Sequence, residues 1–326
     1  MNLLRNPLNP FLWVCRRNEH DIIRLYNSLS DLMHITTNGY FLNFGFWSDG
    51  IKTPIQAQYN LCSLIEECGD LHSAKTILDI GSGFSWPAIY WKSLFDIPDI
   101  ICVDINMSQL RSGVSLIRNY QKEKTIFYSL INSTKESKTK LELLHYQNAK
   151  GLHFVNATST KLPFANNSLD RIVALESAQH FRPLGKFFME CKRVSEMNGV
   201  MVVAIPVIYN NRDPLNNITK NMFSDIPLFF KLGVLSFTWT SEHYDIDYVK
   251  AMVAQAELQI KEIKLIGSRV YEPLSDYYIQ NREKLRNVIL ESYPSYIEKI
   301  LYKSILKMKE LSEERVIEYA IIKVAR

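Results

Sequence analysis

The sequence has no apolar run near the ~20 residues that a membrane-spanning helix requires. Its longest apolar segments are 200–209 and 226–237, and Lys231 interrupts the second of them. The apolar stretch at 11–15 is too short for a secretory leader, and its basic residues follow it rather than precede it. We therefore expect no membrane span and no signal peptide.

Cysteine, histidine and net charge also exclude some classes of protein. The five cysteines, at 15, 62, 68, 102 and 191, form an odd set without a Cys-x-x-Cys pair. Such a set favours a reducing compartment, so we expect a cytoplasmic protein. The seven histidines show no ligand spacing, which argues against a metal site. A net charge of +4 is too small to indicate a nucleic-acid partner.

From residue 75 onward, short β-branched segments alternate with segments of helical period. This alternation predicts a mostly parallel sheet with helices on both faces, which is a doubly wound, Rossmann-like α/β fold of seven strands. The predicted strands are 76–80, 100–103, 152–156, 170–174, 200–205, 260–266 and 316–324. The predicted helices between them are 87–95, 107–118 and 184–194.

The first 70 residues and three long connections depart from this alternation. A helical apolar pattern at 19–34, which includes Tyr26, precedes an aromatic segment at 40–47, and Thr53-Pro54 is typical of a helix start. We expect residues 1–70 to form an N-terminal helical and aromatic lid. We expect residues 71–326 to form the core, with helical insertions at about 119–150, 207–242 and 267–315, because long excursions are usually functional.

A glycine motif follows the first predicted strand. Residues 76–87 (TILDIGSGFSWP) lead through Gly81 and Gly83 into a helix. Glycines at such a turn allow backbone N–H groups to approach a ligand. The third glycine of a dinucleotide fingerprint is absent, because position 86 is tryptophan. Taken alone, the motif fits a tight strand–helix turn equally well.

An acidic residue ends the second predicted strand. Asp104 lies about 20 residues beyond the glycines, where a carboxylate accepts hydrogen bonds from both hydroxyl groups of a ribose. The neighbouring Ile105 could present an apolar face to an adenine ring. Together, the glycine loop and Asp104 predict a site for a nucleoside-containing ligand.

These motifs resemble the class I S-adenosylmethionine-dependent methyltransferases. The resemblance rests on DIGSG at 79–83 and on Asp104, and it continues through 161–173, 176–181, 190–194 and 198–203. The segment NFGFW at 43–47 is similar to the branch that methylates sugars, sterols, tocopherols and macrolides. This resemblance implies S-adenosylmethionine as cofactor and a small-molecule acceptor. A homodimer is consistent with it.

The resemblance also implies residue roles. Phe44 and Trp47 would close over the cofactor, and Asp79 would fix the loop near its amino-acid moiety. Ser85 replaces a third glycine of many members, which a serine tolerates if its φ is negative. Thr158 stands where many members place an acidic or amide residue facing adenine. The cofactor-binding residues expected on this basis are Phe44, Trp47, Asp79, Gly81, Gly83, Asp104, Ile105, Thr158 and Ser159.

Two residues after the fourth predicted strand are candidates for catalysis. His180 matches the histidine that removes the acceptor proton in similar sugar methyltransferases, and an imidazole pKa near ~6.5 suits that task. The other interpretation is a histidine packed at a strand–helix corner. Glu176 could orient the acceptor, contact the methionine amine or cap the next helix.

The sequence therefore predicts a methyltransferase that acts on oxygen or carbon of a natural-product, isoprenoid or sugar-like acceptor. One alternative is a nucleic-acid methyltransferase, but ESAQ at 176–179 differs from the Asp/Asn-Pro-Pro-aromatic motif of base-methylating enzymes. Another is a non-catalytic partner subunit, which would not need Gly81, Gly83 and Asp104.

Overall fold

One seven-stranded sheet organises the chain. The computed structural model describes residues 18–37, 39–120, 151–209, 231–235 and 242–326. The strands are β1 (Thr76–Ile80), β2 (Asp99–Asp104), β3 (Leu152–Asn156), β4 (Leu169–Leu175), β5 (Ser195–Ile208), β6 (Gln259–Leu265) and β7 (Ile317–Ala325). Their order is β3-β2-β1-β4-β5-β7-β6. Strands β1 to β5 are parallel, and β7 runs antiparallel to both β5 and β6. The predicted α/β fold is confirmed.

Helices cover both faces of this sheet. They are α1 (Glu19–Thr37), α2 (Pro54–Gly69), α3 (Trp86–Leu94), α4 (Met107–Tyr120), α5 (Leu184–Val194), α6 (Ile246–Gln255), α7 (Tyr271–Gln280), α8 (Arg282–Ser292) and α9 (Ser295–Glu313). The sequence patterns did not predict α6 as a separate helix. No helix in the described ranges is both long and apolar enough to cross a membrane.

The start of α2 shows why the predicted boundary holds. The Thr53 side chain accepts a hydrogen bond from the Gln56 backbone N–H at 3.4 Å. In return, Oε1 of Gln56 accepts the Thr53 N–H at 3.2 Å. Pro54 occupies the first turn, where its missing N–H is not needed. This capping box satisfies donors that a helix start otherwise leaves unpaired.

Alternation along the strands builds two apolar layers. Ile77 packs into the layer that contains Leu61 of α2 and Trp91 of α3. Its neighbour Leu78 packs into the opposite layer, with Phe187 of α5. Successive strand residues point to opposite faces, so each central strand contributes to both layers. The sheet, packed on both faces, thereby fixes the positions of the residues at the carboxyl ends of its strands.

The N-terminal segment and the third insertion contact each other. Leu32 of α1 packs in a small cluster with Ile289 of α8. The Trp47 N–H donates to the Arg269 carbonyl at 2.8 Å, and the Trp47 ring lies 5.9 Å from that of Tyr277. Residues 121–150 and most of 207–242 lie outside the described residues, so the predicted insertions there are not described.

Neither a metal cluster nor a disulfide is found in the described part of the chain. No group of three or more His, Cys, Asp and Glu side chains in the described ranges could hold a metal ion. Cys62, Cys68, Cys102 and Cys191 are buried thiols without a disulfide partner. Cys15 lies outside the described residues.

Candidate active site

A cavity of about 660 Å³ opens at the carboxyl edge of the sheet. Its walls include Gly81 after β1, Asp104 at the end of β2, Thr158 after β3 and Glu176 after β4. Helix α1 and the segment 40–43 form another wall. Open α/β sheets bind ligands at this edge, and the volume suits a small-molecule site.

The glycine loop is held by β2. The N–H groups of Gly81 and Ser82 both donate to the Val103 carbonyl, at 2.7 and 3.1 Å. A Cβ on Gly81 would lie 2.3 Å from Cβ of Ser177, and the φ of Gly81 is +72°. These two N–H groups therefore attach the loop to β2. The close packing against Ser177 and the positive φ explain why residue 81 is glycine.

Ser85 corrects one expectation. Its φ is +58°, not negative. The residue is buried, and its Oγ donates to Oγ of Ser82 at 3.1 Å. A non-glycine residue in the left-handed region loses roughly 1–2 kcal/mol. The loop thus keeps the glycine conformation at this position although the residue is serine, and packing around it must offset the strain.

Asp104 locks the loop and faces the cavity. Its Oδ2 accepts the Gly83 N–H at 2.8 Å, and its Oδ1 accepts the Asn106 N–H at 2.7 Å. Burial raises the pKa of Asp104, although three backbone N–H groups oppose that shift. Ile105 beside it also lines the cavity. The carboxylate therefore has a structural duty that the sequence did not show.

Asp79 lies beneath the loop rather than on the cavity wall. It is 2% exposed. Burial, together with the charge of Asp104, raises the pKa of Asp79 to about 7. Because the charge of Asp104 acts on Asp79, the two carboxyl groups do not ionise independently.

Thr158 and Ser159 line the cavity beyond β3. The Thr158 hydroxyl donates to Oε1 of Glu19, on α1, at 2.5 Å. The residue is thus engaged by the N-terminal helix, a contact that sequence patterns do not reveal. This bond connects α1 to the β3 side of the site.

Glu176 is held on one side by two donors. Its Oε1 accepts the Phe44 N–H at 2.9 Å and the Tyr319 hydroxyl of β7 at 2.9 Å. Its φ is +50°. Burial raises the pKa of Glu176 to about 8, despite both donors. The Glu176 side chain does not cap the short 3-10 helix 178–180 that follows, so one of its predicted roles is excluded. Glu176 lies on the cavity wall, as its other predicted roles require.

His180 meets a tyrosine from the N-terminal helix. The Tyr26 hydroxyl lies 2.7 Å from Nε2 of His180, and the rings are nearly perpendicular. Both side chains line the cavity. In the sequence, Tyr26 stood out only as an apolar member of a helical pattern. The helical pattern did not predict that the hydroxyl of Tyr26 would contact His180.

The predicted cover residues Phe44 and Trp47 are not among the described residues that line the cavity. The Phe44 ring packs 5.7 Å from that of Tyr271, and Trp47 is 8% exposed. From the same segment, Leu42 and Asn43 line the cavity instead. The segment reaches the site, but with different side chains from those expected.

Comparisons with known proteins place this site in a class. Residues 78–203 match the family model described as the methyltransferase domain. The chain is 22% identical over 280 residues to erythromycin 3''-O-methyltransferase of Saccharopolyspora erythraea, a match that covers 86% of this chain and 80% of the relative.

Solved structures share the fold over almost the whole chain. Mycolic acid cyclopropane synthase CmaA1, complexed with SAH and CTAB, matches with a TM-score of 0.72 at 14% identity, covering 95% of this chain and 99% of that chain. Cyclopropane synthase MmaA2 from Mycobacterium tuberculosis matches with a TM-score of 0.70 at 13% identity, covering 92% and 95%. At these identities the two matches show the fold alone.

Residues 78–203 carry a methyltransferase domain. This confirms the family predicted from the sequence, together with its small-molecule branch. These matches do not support the nucleic-acid methyltransferase or the non-catalytic partner subunit.

Proposed function

We propose that this chain transfers the methyl group of S-adenosylmethionine to a hydroxyl oxygen of a sugar-like or macrolide-like natural product. The observation that carries the proposal is the Tyr26–His180 pair, which lies 2.7 Å apart on the wall of the cavity. The relative whose printed name is an O-methyltransferase aligns with most of the chain, which supports oxygen as the acceptor atom.

The residues present fit S-adenosylmethionine. Asp104 offers a buried carboxylate at the β2 edge, where its free lone pairs can accept the two ribose hydroxyls. Ile105 would lie against adenine, with Thr158 and Ser159 beyond it. The carboxyl group of Asp104 on the cavity wall suits a ligand that carries a sulfonium. A solved structure with this fold was obtained with SAH, which supports the same cofactor.

When bound, S-adenosylmethionine supplies a methyl group on a positively charged sulfur. The protein must then orient the acceptor hydroxyl, exclude water and remove one proton. Because Nε2 of His180 lies 2.7 Å from the Tyr26 hydroxyl, the acceptor's proton passes to the Tyr26 oxygen while the Tyr26 proton passes to Nε2. Glu176 stands on the same wall, where its carboxyl group orients the acceptor.

We further propose that the N-terminal segment within residues 1–70 acts as the lid of the core formed by 71–326. Helix α1 lines the cavity through Ile22, Ile23 and Tyr26. The C-terminal half of α1 packs against Ile289, a residue of the third insertion. This arrangement favours a cover that closes over bound ligands.

The proposal is tested by calorimetric binding of S-adenosylmethionine and by transfer of labelled methyl to a panel of hydroxylated glycosides and macrolides. We expect binding, and transfer that falls about 10²–10⁴-fold in His180→Ala. His153→Ala is the matched control, since His153 is an exposed histidine paired with Asp99. No binding by the wild type, or equal transfer by both variants, would reject the proposal.

A further inference from the structure

Helix α1 is joined to α4 by a polar contact close to Tyr26. Nε2 of Gln109, in the first turn of α4, donates to Oγ of Ser30 at 2.9 Å, and both side chains are buried. The Ser30 hydroxyl in turn donates to the Tyr26 carbonyl at 2.6 Å. Two successive hydrogen bonds therefore lead from α4 to the residue whose hydroxyl meets His180.

Asn27, the residue after Tyr26, makes a second contact at the same end of α4. Its Oδ1 accepts from Nδ2 of Asn106 at 2.8 Å. Asn106 is 2% exposed, and its own Oδ1 accepts the Ser108 N–H at 3.1 Å, which caps α4. Its backbone N–H donates to Oδ1 of Asp104 at 2.7 Å. The contact thus connects α1 to the end of β2.

The residue type at position 106 fits both contacts at once. An aspartate caps a helix start about as well as an asparagine does. Its carboxylate has no hydrogen to donate, whereas an amide accepts with its oxygen and donates with its nitrogen. Asn106 uses the oxygen for α4 and the nitrogen for Asn27. Capping alone therefore does not account for the amide.

The two contacts lie on the part of α1 that carries Tyr26. A helix turns by about 100° per residue, so Ser30 stands about 40° around the helix from Tyr26, and Asn27 about 100°. The buried Leu25 and Leu32 also hold α1, but apolar contacts are not directional. Hydrogen bonds are directional. The polar contacts therefore fix the rotation of α1 about its axis, and with it the direction of the Tyr26 side chain.

We propose that Asn27 and Ser30 are positioning residues, which hold the Tyr26 hydroxyl at hydrogen-bond distance from Nε2 of His180. Neither is among the described residues that line the cavity, so each acts through Tyr26 and not on a ligand. Helix α4 follows β2, whereas His180 follows β4. The contacts thus set the tyrosine from one strand end against the histidine of another. The consequence for methyl transfer rests on the proposed function, but the effect on the Tyr26–His180 contact does not.

The first test observes that contact in the unliganded protein by nitrogen NMR of isotope-labelled histidine. Spectra are recorded at about pH 8.5, where an imidazole is neutral. His180→Gln assigns the His180 resonances, and Tyr26→Phe gives the Nε2 resonance without the hydrogen bond. We expect Asn27→Ala and Ser30→Ala to move that resonance more than halfway from the wild-type position towards the Tyr26→Phe position.

Two control variants separate positioning from general loosening of α1. Thr36→Ala is matched to Ser30→Ala, because the Thr36 hydroxyl donates to the Leu32 carbonyl of its own helix at 2.9 Å. Asn27→Asp keeps the oxygen that accepts from Asn106. Both controls should leave the Nε2 resonance at the wild-type position. An unmoved resonance in Asn27→Ala and Ser30→Ala would overturn the inference, and so would an equal movement in Thr36→Ala.

The second test is a double-variant cycle in single-turnover transfer to the glycoside or macrolide that the wild type methylates. Asn27→Ala and Ser30→Ala should each lower the rate about tenfold or more, because a small misplacement of a reacting group is costly. In a Tyr26→Phe background each should cost less than about twofold, since both act through that hydroxyl. Losses that simply multiply would contradict the inference. If the wild type methylates nothing in the panel, the proposed function is wrong, while the resonances still decide whether Asn27 and Ser30 position Tyr26.

Discussion

Replacing Glu176 by glutamine should change how stability depends on pH. Burial raises the pKa of Glu176 from 4.5 to about 8 in the folded chain. Between these two values, the folded state binds more protons at this residue than the unfolded state does. Stability of the wild type must therefore fall as pH rises through this window. Glutamine has no proton to lose, so its contribution stays constant.

The size of the effect follows from the linkage slope. Each pH unit inside the window removes about 1.4 kcal/mol from the free energy of unfolding. From about pH 5.5 to about pH 8, the wild type should lose roughly 3 kcal/mol relative to Glu176→Gln. Any misfit of the amide against Phe44 or Tyr319 adds an offset, but that offset does not vary with pH.

Urea unfolding at several pH values within that window measures this difference. Glu190→Gln is the matched control, because Arg193 lowers the pKa of Glu190 and its carboxylate is ionised throughout the window. Its difference from the wild type should therefore stay flat. A flat difference for Glu176→Gln as well would show that Glu176 is ionised when folded, and that its two hydrogen-bond donors outweigh burial.

Three further substitutions test the loop and the base. Ser85→Gly should leave the free energy of unfolding within about 1 kcal/mol, because relief of left-handed strain offsets the lost bond to Ser82; a larger loss in urea unfolding would contradict this. Asp104→Asn should lower calorimetric affinity for S-adenosylhomocysteine at least about tenfold, and equal affinity would remove the ribose assignment. Tyr26→Phe should reduce single-turnover methyl transfer while cofactor affinity changes by less than about threefold; an unaltered rate would exclude a role for the hydroxyl in holding His180.

The fold could be predicted because its signals are local. Strand β1 was predicted at 76–80, and the structure has it at the same residues. Helix α2 begins where Thr53-Pro54 indicated, since capping involves neighbours in sequence. The loop after β1 was harder. Ser85 adopts a positive φ that its residue type disfavours, and that conformation depends on the packing of the whole loop.

Residues that line the cavity were predicted where they stand at the end of a strand or soon after it, and missed where another element supplies them. Asp104 ends β2, and His180 follows β4 in the short 3-10 helix 178–180, so both lie at the same edge of the sheet. Tyr26 is 154 residues from its partner His180 in the sequence. Tyr319 is 143 residues from its partner Glu176. One sequence carries no signal for such distant pairs. Phe44 was predicted to close over the cofactor with its ring. In the structure its backbone N–H donates to Glu176 instead.

The place of β7 in the sheet has a consequence for the order in which the molecule can assemble. Strand β6 pairs with β7, which lies between it and β5. Although β6 comes earlier in the sequence, it can join the parallel strands only when β7 is in place. The same strand delivers the Tyr319 hydroxyl to Glu176. Closing this long-range pairing is an intrinsically slow step. The carboxyl group at the cavity therefore receives its second donor only once β7 has paired with β5.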